Sequence, residues 1–133
     1  MRNRYELDLK DAELMLEAAK QHALANHWAV SIAVVDQDGR LITFARLDGA
    51  SPLSVDLAQG KARTAALGRK ASKAYEDMVK EGRVSLLSAD KLTCLEGGHP
   101  VQYEGQYIGA VGVSGVASSD DALIALAGIA ALS

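Results

Sequence analysis

The sequence predicts an α+β fold, a mainly antiparallel sheet with helices packed against it, and three observations carry that expectation. Two pairs of segments alternate around tight turns as hairpins do, and a hairpin joins antiparallel strands. The apolar periodicities run in the order helix, hairpin, two helices, hairpin, helix. The intervals between strand patterns do not suit repeated βαβ units. At 133 residues, the chain has the size at which one core is usual, so a single domain over 1–133 is expected.

Leu9 to Asn26 reads as the first helix, because Ala12, Leu16, Ala19 and Ala23 follow one buried stripe and Asp8 or Asp11 suits its positive end. Val30–Val35 is a short β-branched run, hence a buried strand, and Asp36-Gln37-Asp38-Gly39 turns the chain into the alternating Arg40–Leu47. Asp48 to Pro52 breaks the sheet. Ser54 is expected to cap a helix from Val55 to about Leu67, and a second helix over Ser72–Lys80 stops at Gly82. Val84 to Leu95 is irregular, with a short strand expected around Thr93–Leu95. Val101–Tyr103 and Gln106–Val113 form the second hairpin around Glu104-Gly105. Ser118 and Asp121 have capping-box spacing at the start of a helix over Asp120–Leu132, which is apolar almost all round and must be buried on most sides.

Composition excludes several functions. Hydrophobic residues at 49% and charged residues at 23% describe an ordinary globular chain, and a net charge of −3 gives no general affinity for nucleic acid or acidic membranes. Met1–Lys10 lacks an apolar targeting segment, and the longest apolar run, Ala122–Leu132, is too short to span a bilayer. The single Cys94 leaves no internal disulfide or multi-cysteine metal site and fits a reducing, cytoplasmic location; taken alone it reads as a half-buried strand cysteine. Small side chains dominate and bury little area each, so contacts between copies are expected to complete the core.

The densest chemical signal is Gly109-Ala110-Val111-Gly112-Val113-Ser114-Gly115, at the end of a strand and just before the capped helix. Glycines there admit either a ligand or the backbone of a packed helix, and the helix start favours an anion. The run lies inside an antiparallel hairpin, not at the head of a βαβ unit, so it is a weak dinucleotide fingerprint, and Asp120 and Asp121 oppose a phosphate. A second constellation places Arg46 at a strand end and Lys61 in the following helix. Two cations converging on one pocket would hold a carboxylate or a haem propionate. Lys61 borders the buried stripe, so its ammonium either snorkels outward or has a partner. His22, His27 and His99 show no paired metal spacing, although a lone histidine can serve as an axial haem ligand. No nucleophile elbow or P-loop is present, which argues against a covalent hydrolase.

The segments Ile32-Ala33-Val34-Val35-Asp36, Gly39-Arg40-Leu41, Arg46-Leu47-Asp48-Gly49-Ala50, Lys61-Ala62-Arg63-Thr64-Ala65, Gly97-Gly98-His99-Pro100-Val101 and Gly109 to Gly115, followed by Asp120-Asp121, resemble the GlcG/HbpS family, which includes the C-terminal domain of PduO-type proteins. The resemblance runs from about Leu9 to Ala130. It implies a profilin-like fold with an antiparallel sheet of about five strands flanked by helices, and homo-oligomers from dimers to octamers. By position it implies pocket residues Arg46, Lys61, Gly112, Ser114 and Asp120. It also implies one of three roles: binding of haem or a related anionic ligand, catabolic chemistry (deamination, hydrolysis or isomerisation) on a small unsaturated carboxylate, or a non-catalytic accessory or sensory subunit. In the binding role, His22 on its partly apolar helix face is the candidate iron ligand. In the enzymatic role, Arg46 and Lys61 hold the acid group while Asp120, Glu96 or His99 moves a proton. His99 stands where many members carry an aliphatic residue.

Overall fold

The computed structural model describes residues 1–132 and keeps the expected order of elements. Helix α1 (Leu9–Ala25) precedes strands β1 (Ser31–Asp36) and β2 (Leu41–Arg46), then helices α2 (Pro52–Gly68) and α3 (Lys73–Lys80). A 3₁₀ turn (Val84–Ser88) leads to strands β3 (Gly98–Tyr103) and β4 (Gln106–Ser114) and to helix α4 (Ser118–Ile129). The sheet has four strands among the described residues, in the order β2-β1-β4-β3, where about five were expected. Every neighbouring pair is antiparallel.

The Thr93–Leu95 strand does not form. Thr93 leans on α2 instead, its amide donating to the Thr64 hydroxyl at 2.7 Å and its side chain filling the space beside Gly60. That contact leaves no sheet partner for the segment. The following strand starts earlier than expected, at Gly98, because Gly98 to Pro100 pair with Gly112 to Ala110.

Period-two alternation divides the sheet between two layers. On one face Ala33, Val35 and Ala110 pack against Ala58, Ala62, Ala65 and Ala66 of α2. On the other, Ile32, Val34, Val111 and Val113 meet Met15 and Ala19 of α1 and Ile124 and Ala125 of α4. Covered on both sides, β1 reads as one apolar run. Gly112 lies on the α2 face, opposite Ala33 and Gly98, and a side chain there would run into the Ala58 carbonyl and the Ala62 amide. The glycine that was expected to face a ligand thus faces the backbone of a helix, and its lack of a Cβ lets α2 approach.

Two caps also differ from expectation. Helix α2 begins three residues early: Ser51 is its N-cap, accepting the Ser54 amide at 3.2 Å, and Pro52 occupies the first turn, where its missing N–H costs nothing. At α4 the N-cap is Ala117, with no side-chain cap, so the Ser118/Asp121 capping box is not made. The Asp121 carboxylate is engaged elsewhere.

Candidate functional site

Lys61 lies 2% exposed in the middle of α2. Its ammonium donates to Asp121 Oδ2 at 3.2 Å and to the Val113 carbonyl at 3.1 Å. Asp121, 1% exposed, also accepts the Val116 amide through Oδ1 at 3.1 Å. Burial pushes the Asp121 carboxyl up, opposed by the Lys61 charge and the Val116 amide. The stem of Lys61 passes directly over Gly97, whose φ of +140° and missing Cβ make the passage; a Cβ would sit 2.9 Å from Nζ. The lysine expected to greet a ligand therefore neutralises a buried acid, joining α2, the end of β4 and the start of α4.

Arg46 is engaged as well. Its Nε and Nη2 both donate to the Ala50 carbonyl, at 3.1 and 2.8 Å, closing the loop before α2. Cross-strand register puts Arg46, Ser31 and Ser114 in one row on the α2 face, and the Ser31 and Ser54 hydroxyls share a hydrogen bond of 2.8 Å. Arg46 and Ser114 are thus brought to one end of the sheet, and Lys61 reaches the carbonyl next to Ser114. Both cations, however, have acceptors inside the protein.

The other candidates are dispersed. Asp120 is half-buried beside the buried stripe of α4, which Asp121 occupies. His22 sits in the last turn of α1 with its ring 6.1 Å from that of Trp28. Among the described residues no three His, Cys, Asp or Glu side chains are grouped to hold a metal ion. His99 is half-buried opposite Val111, on the α4 face; burial pushes its pKa down, partly offset by the Glu96 charge.

A hollow of about 630 Å³ forms an open groove between α3, the 3₁₀ turn, the segment before β3 and the start of α4. Of the expected site residues, Glu96 alone lines it. Val79, Leu87, Cys94 and Leu95 give it apolar walls, with Lys80, Glu76 and the first residues of α4, Ser118 and Ser119, at polar points. The frame is tied by hydrogen bonds. Glu76 accepts the Glu96 amide at 3.1 Å and the Lys80 ammonium at 3.1 Å. Burial alone would push the Glu76 carboxyl up, but those two donors hold it below its ordinary value. Ser72 donates to the Leu95 carbonyl at 2.6 Å and accepts the Gly98 amide at 2.9 Å, fixing the groove wall to the start of α3.

Asp121 and the groove wall escape sequence reasoning for different reasons. Asp121 was open to discovery: it stands three, four and seven residues before Ile124, Ala125 and Gly128, on the stripe that α4 buries, while Asp120 does not. The groove is assembled from the consecutive stretch between Glu76 and Glu96 closed by the more distant start of α4, and no local pattern announces it.

A family model described as "Haem degrading protein HbpS-like" matches residues 7–130. Protein GlcG of Escherichia coli K12 is 46% identical over 114 residues, 86% of this chain and 85% of that protein. Among solved structures, a double mutant of Streptomyces reticuli HbpS is similar at 32% identity with a TM-score of 0.92, covering 100% of this chain and 91% of the other. A complex of PduOC with haem is similar at 28% identity with a TM-score of 0.88, covering 96% and 95%.

Proposed function

The chain belongs to the HbpS-like family, and on that premise we propose that it binds a small anionic ligand, haem foremost, in the groove between α3 and the start of α4. The likeness to the PduOC–haem complex, extending over 96% of the chain, carries this reading.

The groove's own chemistry supports it. Its volume of about 630 Å³ falls within the range of small-molecule sites, about 300–1,000 Å³. The walls of Val79, Leu87 and Leu95 suit a flat apolar face, while Lys80 offers a cation to a carboxylate at the groove's edge, with Glu96 the acid it must outweigh. Glu76 is already paired with Lys80, which limits its repulsion of an anion. Cys94, in the wall, offers a thiol donor, and His22, beside Trp28, an imidazole. Bound haem would supply an iron centre whose reactivity depends on its axial donor. The internal engagement of Lys61 and Arg46 favours binding over turnover of a free carboxylate at those two residues. The proposal includes a cytoplasmic location and assembly into dimers or larger homo-oligomers.

Haemin titration tests it. A sharp Soret band saturating at one equivalent per chain is the expected result, and a linear rise equal to that of haemin in buffer would overturn the haem assignment. Loss of the band in Cys94→Ser assigns the iron to the groove, whereas loss in His22→Ala places it on α1 and removes the groove as the iron site.

A further inference from the structure

A second hollow, of about 220 Å³, opens between the N-terminal segment, the start of α1 and the β3–β4 hairpin, and is lined by Tyr5, Glu6, Asp11, Tyr103, Ile108 and Leu132. Its features are independent of the haem-type groove. The rings of Tyr5 and Tyr103 stand at 85° with centroids 4.9 Å apart, so they form two walls of a corner, and each residue remains nearly half exposed. The corner is held in place by the Gln106 side chain, which clasps the N-terminal backbone. The Tyr5 amide donates to Gln106 Oε1 at 2.9 Å, and Gln106 Nε2 donates back to the Asn3 carbonyl at 3.2 Å. Buried Ile108 and half-buried Leu132 add apolar surface.

The charge of the hollow has one sign. Glu6 and Asp11 form no salt bridge among the described residues, and the nearby Arg4 pairs with Asp38 instead, at 3.7 Å. Two carboxylates alone, with no third ligand, do not make a metal site. Two carboxylates with two aromatic faces and apolar surface suit a different cation, one that is weakly hydrated and covered with methyl groups. The volume is below that of sites for drug-sized molecules and matches a compact head group.

We propose that this hollow binds a small alkylammonium cation, with the Tyr5 and Tyr103 rings against its methyl groups and Glu6 and Asp11 supplying counter-charge. Tetramethylammonium chloride is the probe, titrated into the full chain at constant ionic strength against sodium chloride, with amide chemical shifts as the readout. Saturable shifts confined to residues around Tyr5, Asp11, Tyr103 and Ile108 are expected, with half-saturation in the millimolar range. Tyr103→Leu should weaken binding roughly tenfold while Tyr103→Phe retains it, because the ring face and not the hydroxyl makes the contact. Glu6→Gln, at an exposed position, should weaken it several-fold without touching the fold. Linear shifts equal to those with sodium chloride overturn the proposal, as does unchanged affinity in Glu6→Gln or in a folded Tyr103→Leu.

Discussion

The buried pair of Lys61 and Asp121 shows how one side chain can be read correctly in place and wrongly in purpose. Its position beside the apolar stripe of α2 follows from spacing alone, but which partner answers it depends on α4 arriving from sixty residues away. Removing one member of a buried pair leaves the other charge without compensation, at a cost of about 3–5 kcal/mol, whereas replacing both by apolar residues is often close to neutral. Lys61→Met and Asp121→Leu should therefore each lower stability by roughly that amount. The double substitution should lose far less than their sum, although the Val116 amide is then left without its acceptor. Urea denaturation of the three variants measures this, and additive losses would show that the two charges do not act as a unit. Asp120, the neighbour chosen from sequence, lies beside the stripe that α4 buries and forms no ion pair among the described residues.

At the level of elements, the contact between α2 and β4 depends on absent side chains. Gly112→Ala places a methyl group against the Ala58 carbonyl and the Ala62 amide. Backbone cannot swing aside as a side chain can, so α2 must retreat from the sheet. A loss of about 1–3 kcal/mol in a denaturant titration is expected, the usual cost of overpacking, and an unchanged midpoint would mean that the helix is not seated as described. The elements themselves were legible, since period two marks the strands and the alanine stripes mark the helices. Their ends were less so. Ser54 competes with Ser51 as a cap, and the proline between them decides for Ser51. Thr93–Leu95 has strand-like residues but is drawn onto α2 by the Thr64 hydroxyl, a tertiary contact that no local pattern encodes. The groove shares that origin. Its walls come from α3, the 3₁₀ turn, the segment before β3 and α4, so only the assembled fold brings Cys94 near Ser118.

At the scale of the whole molecule, the outer helices carry leucines that the core does not take up: Leu9, Leu14 and Leu24 on α1, and Leu123 and Leu126 on α4, the last two 51% and 45% exposed. Because α1 and α4 pack side by side, these residues belong to one layer, and apolar surface of that kind is commonly covered by another copy. Light scattering should give a mass at least twice that of one chain, and Leu123→Glu with Leu126→Glu should reduce it; a monomeric wild type, or an unaltered mass in the variant, would remove α4 from the contact. The sheet itself offers a poor route to such growth. Its outermost strand on one side includes Pro100, which has no amide hydrogen to give, and the ladder on the opposite side is interrupted where Val35 meets Leu41. One edge strand thus lacks a donor at Pro100 and the other is bulged against its neighbour, so neither is a regular template for an incoming chain. Growth through the sheet edges is thereby disfavoured, and the same two interruptions oppose the runaway edge-on stacking that ends in fibrils.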